Sequence, residues 1–128
     1  MMTVLEFLKE ARGKVDKEGA WIRGNNALNS ERVQVQPEDE DACHFCMWGA
    51  LQSIDAAMHV IGLAENMVMD ACLEATGGES PAIREWHQKT YSFDVITDFN
   101  DEVADDVGQV LEVFDRAIEQ VSREEVQT

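Results

Sequence analysis

One short group of residues in the chain has the makings of chemistry: Cys43-His44-Phe45-Cys46. Two thiolates at this spacing can chelate zinc, an adjacent imidazole adds a donor, and Cys72, His59 or His87 stand as candidates to complete four ligands. Structural zinc sites ordinarily present two close ligand pairs, and here the second pair is missing. Cys46 also falls on an apolar stripe beside Phe45 and Gly49, where a cysteine is a small core residue. A redox reading of the pair needs a βαβ setting, which the flanking pattern lacks, and the neighbouring acids oppose thiolate formation. Cys43, His44, Cys46 and Cys72 therefore define a metal-binding or metal-dependent enzyme alternative, not the leading expectation.

Carboxylates are the second candidate chemistry. Asp98-Phe99-Asn100-Asp101-Glu102 resembles the opening of a calcium loop, but Val103 occupies the position that requires glycine and Gln109 the position that requires glutamate. No phosphate-binding glycine loop, nucleophile elbow or zincin helix is present, so neither catalytic residues nor a cofactor are expected. What remains is charge. Ten lysines and arginines face 26 aspartates and glutamates, for a net charge of −16. Residues 1–36 hold six bases and five acids, so the excess lies wholly beyond Pro37. Such a surface repels nucleic acid and anionic membranes and attracts basic protein surfaces; the plainer alternative is a solvated acidic face. The candidate partner-binding residues are Asp98, Asp101, Glu102, Asp105, Asp106, Glu112, Asp115 and Glu119.

The elements that must position these groups read as helical. Thr3 and Glu6 form a capping box, and Val4, Leu8, Ala11 and Val15 mark one face of a first helix. Residues 19–37 look irregular, with Trp21, Ile22, Leu28, Val33 and Val35 as anchors and a possible short strand over 32–36. Pro37 and the four acids at 38–41 suggest a helix entrance, because carboxylates favour the positive end of the helix dipole. Ala42, Phe45, Cys46, Gly49, Ala50, Ile54, Ala57, Met58 and Ile61 keep helical spacing for about five turns. In that helix Gly49 and Ala50 would admit another helix or a tryptophan ring. Gly62 ends or bends it. Leu63, Met67, Ala71 and Ala75 form the next stripe, with Cys72 beside it, up to Gly77-Gly78.

Ser80-Pro81 restarts a short helix carrying Ile83 and Trp86. Residues 91–101 read as an aromatic connection packed onto the core, with Asn100-Asp101 capping the last helix. That helix is expected over residues 102–123. Val103, Val107, Val110, Leu111, Phe114, Ala117, Ile118 and Val121 would pack it on the first helix and on the one through 45–61. Trp21, Trp48, Trp86, Tyr91, Phe93 and Phe99 read as core; an exposed aromatic among acids would instead mark an interface anchor.

Two stretches carry a family likeness: Cys46-Met47-Trp48-Gly49-Ala50-Leu51, and Phe99-Asn100-Asp101 with Val110-Leu111-Glu112-Val113-Phe114-Asp115-Arg116-Ala117-Ile118. Through them the chain resembles a small bacterial and phage family of unknown function, which pairs a Cys-x-x-Gly-Ala helix with an Asn-Asp turn and a final Asp-Arg-Ala-Ile-like helix. Cys43 lies outside that pattern. The resemblance implies a fold and carries no activity.

The expectation is one compact, mainly α domain over residues 1–128, built of four or five helices with at most one short extended arm. An odd cysteine count, no apolar leader and no apolar run near the ~20 residues of a membrane span point to a reduced, cytoplasmic setting. The leading functional expectation is a non-enzymatic interaction module engaging a basic protein surface, with a phage-type nucleic-acid mimic as its most specific form. A homodimer seamed by the final helix is a further alternative.

Overall fold

The computed structural model describes residues 2–77 and 92–127. Helix α1, Val4–Val15, opens with the expected reciprocal cap: the Thr3 hydroxyl accepts from the Glu6 amide, and the Glu6 carboxylate accepts from the Thr3 amide. Phe7, Leu8, Ala11 and Val15 are buried along it. The cap also holds the Glu6 carboxyl below its usual value, chiefly through the backbone hydrogen bond from Thr3.

A loop follows, pinned by the two shortest possible strands. β1, Ala27–Leu28, pairs antiparallel with β2, His44–Phe45. Single bridges add Trp21 beside Phe45 and Gln34 beside Leu28. The extended arm expected at 32–36 is thus a single bridge, and Val33 stands 55% exposed.

The helix expected from Ala42 through Ile61 is three different things. Residues 38–41 lie in turns, not at a helix N-terminus. The Gln36 and Asp39 amides close the first turn onto the Asp39 carboxylate and the Gln36 carbonyl, and Ala42 N donates to Asp39 O. The following His44 and Phe45 are strand, so the apolar spacing there follows a sheet edge. Helix α2, Met47–Gln52, begins only after Cys46 and stops at Ser53. Helix α3, Met58–Ala75, then runs straight through Gly62, where nothing crowds the backbone. Its buried face is Val60, Ala64, Val68, Ala71 and Cys72. Of the expected 63-67-71-75 stripe Ala71 is buried, with Cys72 beside it, while Leu63 is 53% exposed and the rest of the inward face lies one position on. The helix is apolar on several sides, so spacing alone did not identify the side that faces inward.

Residues 91–101 were expected as a connection. From Ser92 the chain is instead helix α4, Ser92–Asp98, continuing into a π-helical turn, Phe99–Val103. Its wide bond runs from the Ala104 amide to the Phe99 carbonyl. Ala104 is extended and breaks the run, so the last helix, α5, spans Val107–Gln127 and begins later than 102. Its cap is Asp106, whose carboxylate accepts from the Gln109 amide, while the Gln109 side chain accepts from the Asp105 amide. The expected helix at Ser80-Pro81, with Ile83, Trp86, His87 and Tyr91, lies outside the described residues.

Helix α5 packs on α1 and α3, α3 also packs on α4, and α2 bridges α1 and α4. Val110, Val113, Phe114, Ala117 and Val121 carry α5 into the core. Fully burying a side chain such as Phe7 or Phe114 contributes about 2–3 kcal/mol. The fold is mainly α, and the described residues add one small two-stranded sheet that ties the loop after α1 to the start of α2. No helix among the described residues is long and apolar enough to cross a membrane.

Candidate functional site

The small sheet, the start of α2 and the π-helical turn meet around one side chain. Asn100 is the buried polar residue of the described core, with no exposed surface. Its Oδ1 accepts from the Trp21 indole at 2.7 Å and from the Met47 amide at 3.0 Å. Its Nδ2 donates to the Ile22 carbonyl at 3.1 Å and to Asp101 Oδ1 at 2.9 Å. All the hydrogen-bonding capacity of the carboxamide is thereby used. Asn100 joins the 20–26 loop, α2 and the π-turn; it does not cap α5.

Asp101 extends the same clasp. Its Oδ1 also accepts from the Gly24 amide at 3.1 Å, where Gly24 takes a left-handed φ of +81°. The Arg23 guanidinium lies over the Trp21 ring and donates to the Ala104 carbonyl. Cys46 caps α2: its sulfur accepts from the Gly49 amide at 3.2 Å, and its thiol points toward Asn26 Oδ1 at 3.7 Å. Gly49 is needed for a reason other than helix or tryptophan packing. A Cβ there would sit 1.8 Å from the Asn26 carbonyl oxygen.

The four cysteine–histidine candidates are not brought together. Cys43 is exposed, and its amide pairs with the Leu28 carbonyl. His44 Nδ1 bonds to the Gly19 carbonyl. Cys46 is buried under the loop, and Cys72 is buried on α3 near Asp98. Among the described residues no three His, Cys, Asp or Glu side chains are placed to hold a metal ion. Burial pushes both the Cys46 and the Cys72 thiols up; for Cys46 this outweighs the Gly49 amide, which favours the thiolate. Neither is an activated nucleophile.

The acidic candidates divide into three groups. Asp98 and Asp101 are half-buried and belong to the packing around the π-turn. Glu112, Asp115 and Glu119 are exposed on α5, but each meets an arginine: Arg116, Arg12 and Arg123 respectively. Glu102, Asp105 and Asp106 are exposed beside the start of α5, in no ion pair among the described residues. Residues 38–41, read from sequence as dipole-stabilised, are also exposed and in no described ion pair.

A cavity of about 220 Å³ opens against this clasp, lined by Gly24, Asn25, Asn26, Gln34, Cys46, Phe93, Thr97 and Asp101. Phe93 is 44% exposed, with Trp48 packed edge-on at a ring-centroid distance of 5.1 Å. Phe93, expected in the core, stands at the surface, and Asn25 and Gln34 are not among the expected site residues. The local Gly24-Asn25-Asn26 sequence signals a turn but not what the turn faces.

Fold and site together define a mainly α-helical domain whose loop end is locked by a buried asparagine in a π-turn. The chain belongs to DUF6197, a family of unknown function, which it matches over residues 1–120. No curated protein and no solved structure matches it. Cys46, Gly49, Asn100 and Asp101 all belong to the clasp.

Proposed function

We propose that this protein is a non-enzymatic interaction module that engages a basic surface on a partner protein. The observation that carries the reading is the uncompensated charge. Among the described residues only Arg12, Arg116 and Arg123 enter ion pairs, while residues 38–41, Glu102 and Asp105 are exposed without one. Exposed charges of one sign steer association and set its salt dependence. The turns at 38–41 and the start of α5 are therefore the acidic surfaces of choice. The polar face of α5 contributes less, because Glu112, Asp115 and Glu119 each meet an arginine. For the same reason a nucleic-acid mimic, the most specific form of this reading, has its support in the loops and not in α5. Val110, Phe114, Ala117 and Val121 of α5 are buried within the domain, which supports the interaction module over a homodimer seamed by that stripe. Three unpaired cysteines accord with a reducing, cytoplasmic setting.

The test is capture of a partner from cell lysate as salt rises. Capture should weaken by about tenfold or more between about 50 and about 500 mM NaCl. It should weaken likewise when Glu38, Glu40 and Asp41 are changed to lysine, with Asp39 left to hold its turn. Capture indifferent to both salt and charge reversal would remove the electrostatic reading.

A further inference from the structure

We infer that the cavity beside Phe93 receives a lysine side chain, with Asp101 as its counter-ion. The inference rests on the proposed basic partner and names the contact that partner would make. Asp101 is half-buried and forms no ion pair with any described residue; its two hydrogen bonds come from neutral N–H groups. A half-buried carboxylate with no cationic partner is complemented by a cationic ligand. Both of those bonds end on Oδ1, which fixes the group in place and leaves Oδ2 to accept. A guanidinium fork wants both oxygens of a carboxylate, whereas an ammonium is a point charge with three donors. One carboxylate oxygen left to accept, in a cavity that Asn25 and Gln34 also line, suits the ammonium. The exposed Phe93 ring supplies an apolar surface for the four-carbon stem and a π face for the charge. The ring is positioned by Trp48 behind it.

The test is an NMR titration of the amide spectrum with Nα-acetyl-lysine N-methylamide, beside the same compound acetylated on Nζ. The lysine compound should shift the amides of Gly24, Asn26, Phe93 and Asp101, and the acetylated one should not. Asp101→Asn removes the charge while its carbonyl can still accept from Gly24 and Asn100, so the fold should persist and binding should fall about tenfold or more. Phe93→Ala, at an exposed position, should weaken binding by about threefold; it decides the matter if D101N does not fold. Shifts confined to residues 38–41, no shifts at all, or shifts unchanged in both variants overturn the inference. Salt-sensitive partner capture that survives in F93A, together with no lysine binding at the cavity, would sink the pocket and leave the interaction module standing.

Discussion

Asn100 has every polar atom engaged in a place without water, so its replacement should be costly out of proportion to its size. Asn100→Ala leaves the Trp21 indole and the Met47 amide without their acceptor and the Ile22 carbonyl without its donor. At roughly 1 kcal/mol or more for each orphaned buried group, the loss should be about 3 kcal/mol, read as a lowered midpoint in urea denaturation. The cysteines make a second test at this scale. Native protein should react at one thiol, the exposed Cys43, and unfolded protein at three. Burial raises the folded pKa of Cys46 and Cys72 above the ordinary 9.0. A raised folded pKa gives stability that is complete below the unfolded value and is lost as pH climbs past it. Denaturation midpoints should therefore fall steeply above about pH 9. Cys72→Ala should flatten that slope relative to its own stability at neutral pH.

At the scale of elements, α2 is anchored by backbone contact as well as by its buried Met47, Ala50 and Leu51. It has only six residues, and its first turn lies against the loop through Asn26. Gly49→Ala should force the two backbones apart, since the obstacle is a carbonyl and not the end of a flexible side chain. We expect a loss of about 2 kcal/mol or more, measured by thermal or urea unfolding. Amide shifts should concentrate at residues 24–26 and 100–101. Gly62→Ala on α3, where nothing lies within 4 Å, is the matched control and should be neutral or slightly stabilising. Helix α1 was legible from Thr3, Glu6 and its 4-8-11-15 stripe because each signal is local. The stretch 42–61 was not, because an apolar residue every third or fourth position also fits a strand, a capped short helix and a loop laid end to end. Their boundaries are set by Phe45 pairing with Ala27 and by Cys46 capping Gly49, across distances that periodicity does not record.

The whole molecule carries a net charge of −16, and among the described residues few carboxylates meet a cation. Self-repulsion of this kind opposes the compact state and is screened by salt. Raising NaCl from about 20 to about 500 mM should raise the melting temperature by several degrees, about 5 °C, by calorimetry. The ion pair from α1 to α5, Arg12 to Asp115, is solvent-exposed, and its removal should cost under about 1 kcal/mol. Stability thus rests on the α1–α3–α5 core.

Composition and local pattern determined that this is an acidic, mainly α domain, where its first helix begins, and that α5 turns Val110, Phe114, Ala117 and Val121 inward. Those properties follow from residue types and from neighbours three or four positions away. Only the tertiary structure decided what the acids and cysteines do. It turned residues 38–41 out in loops, paired Glu112, Asp115 and Glu119 with arginines, and separated Cys43, Cys46 and Cys72. It also drew Asn100 into the core against Trp21, 79 positions away in the chain. Each of these outcomes depends on partners distant in sequence, and on the need to satisfy every buried polar group once the helices have closed around it.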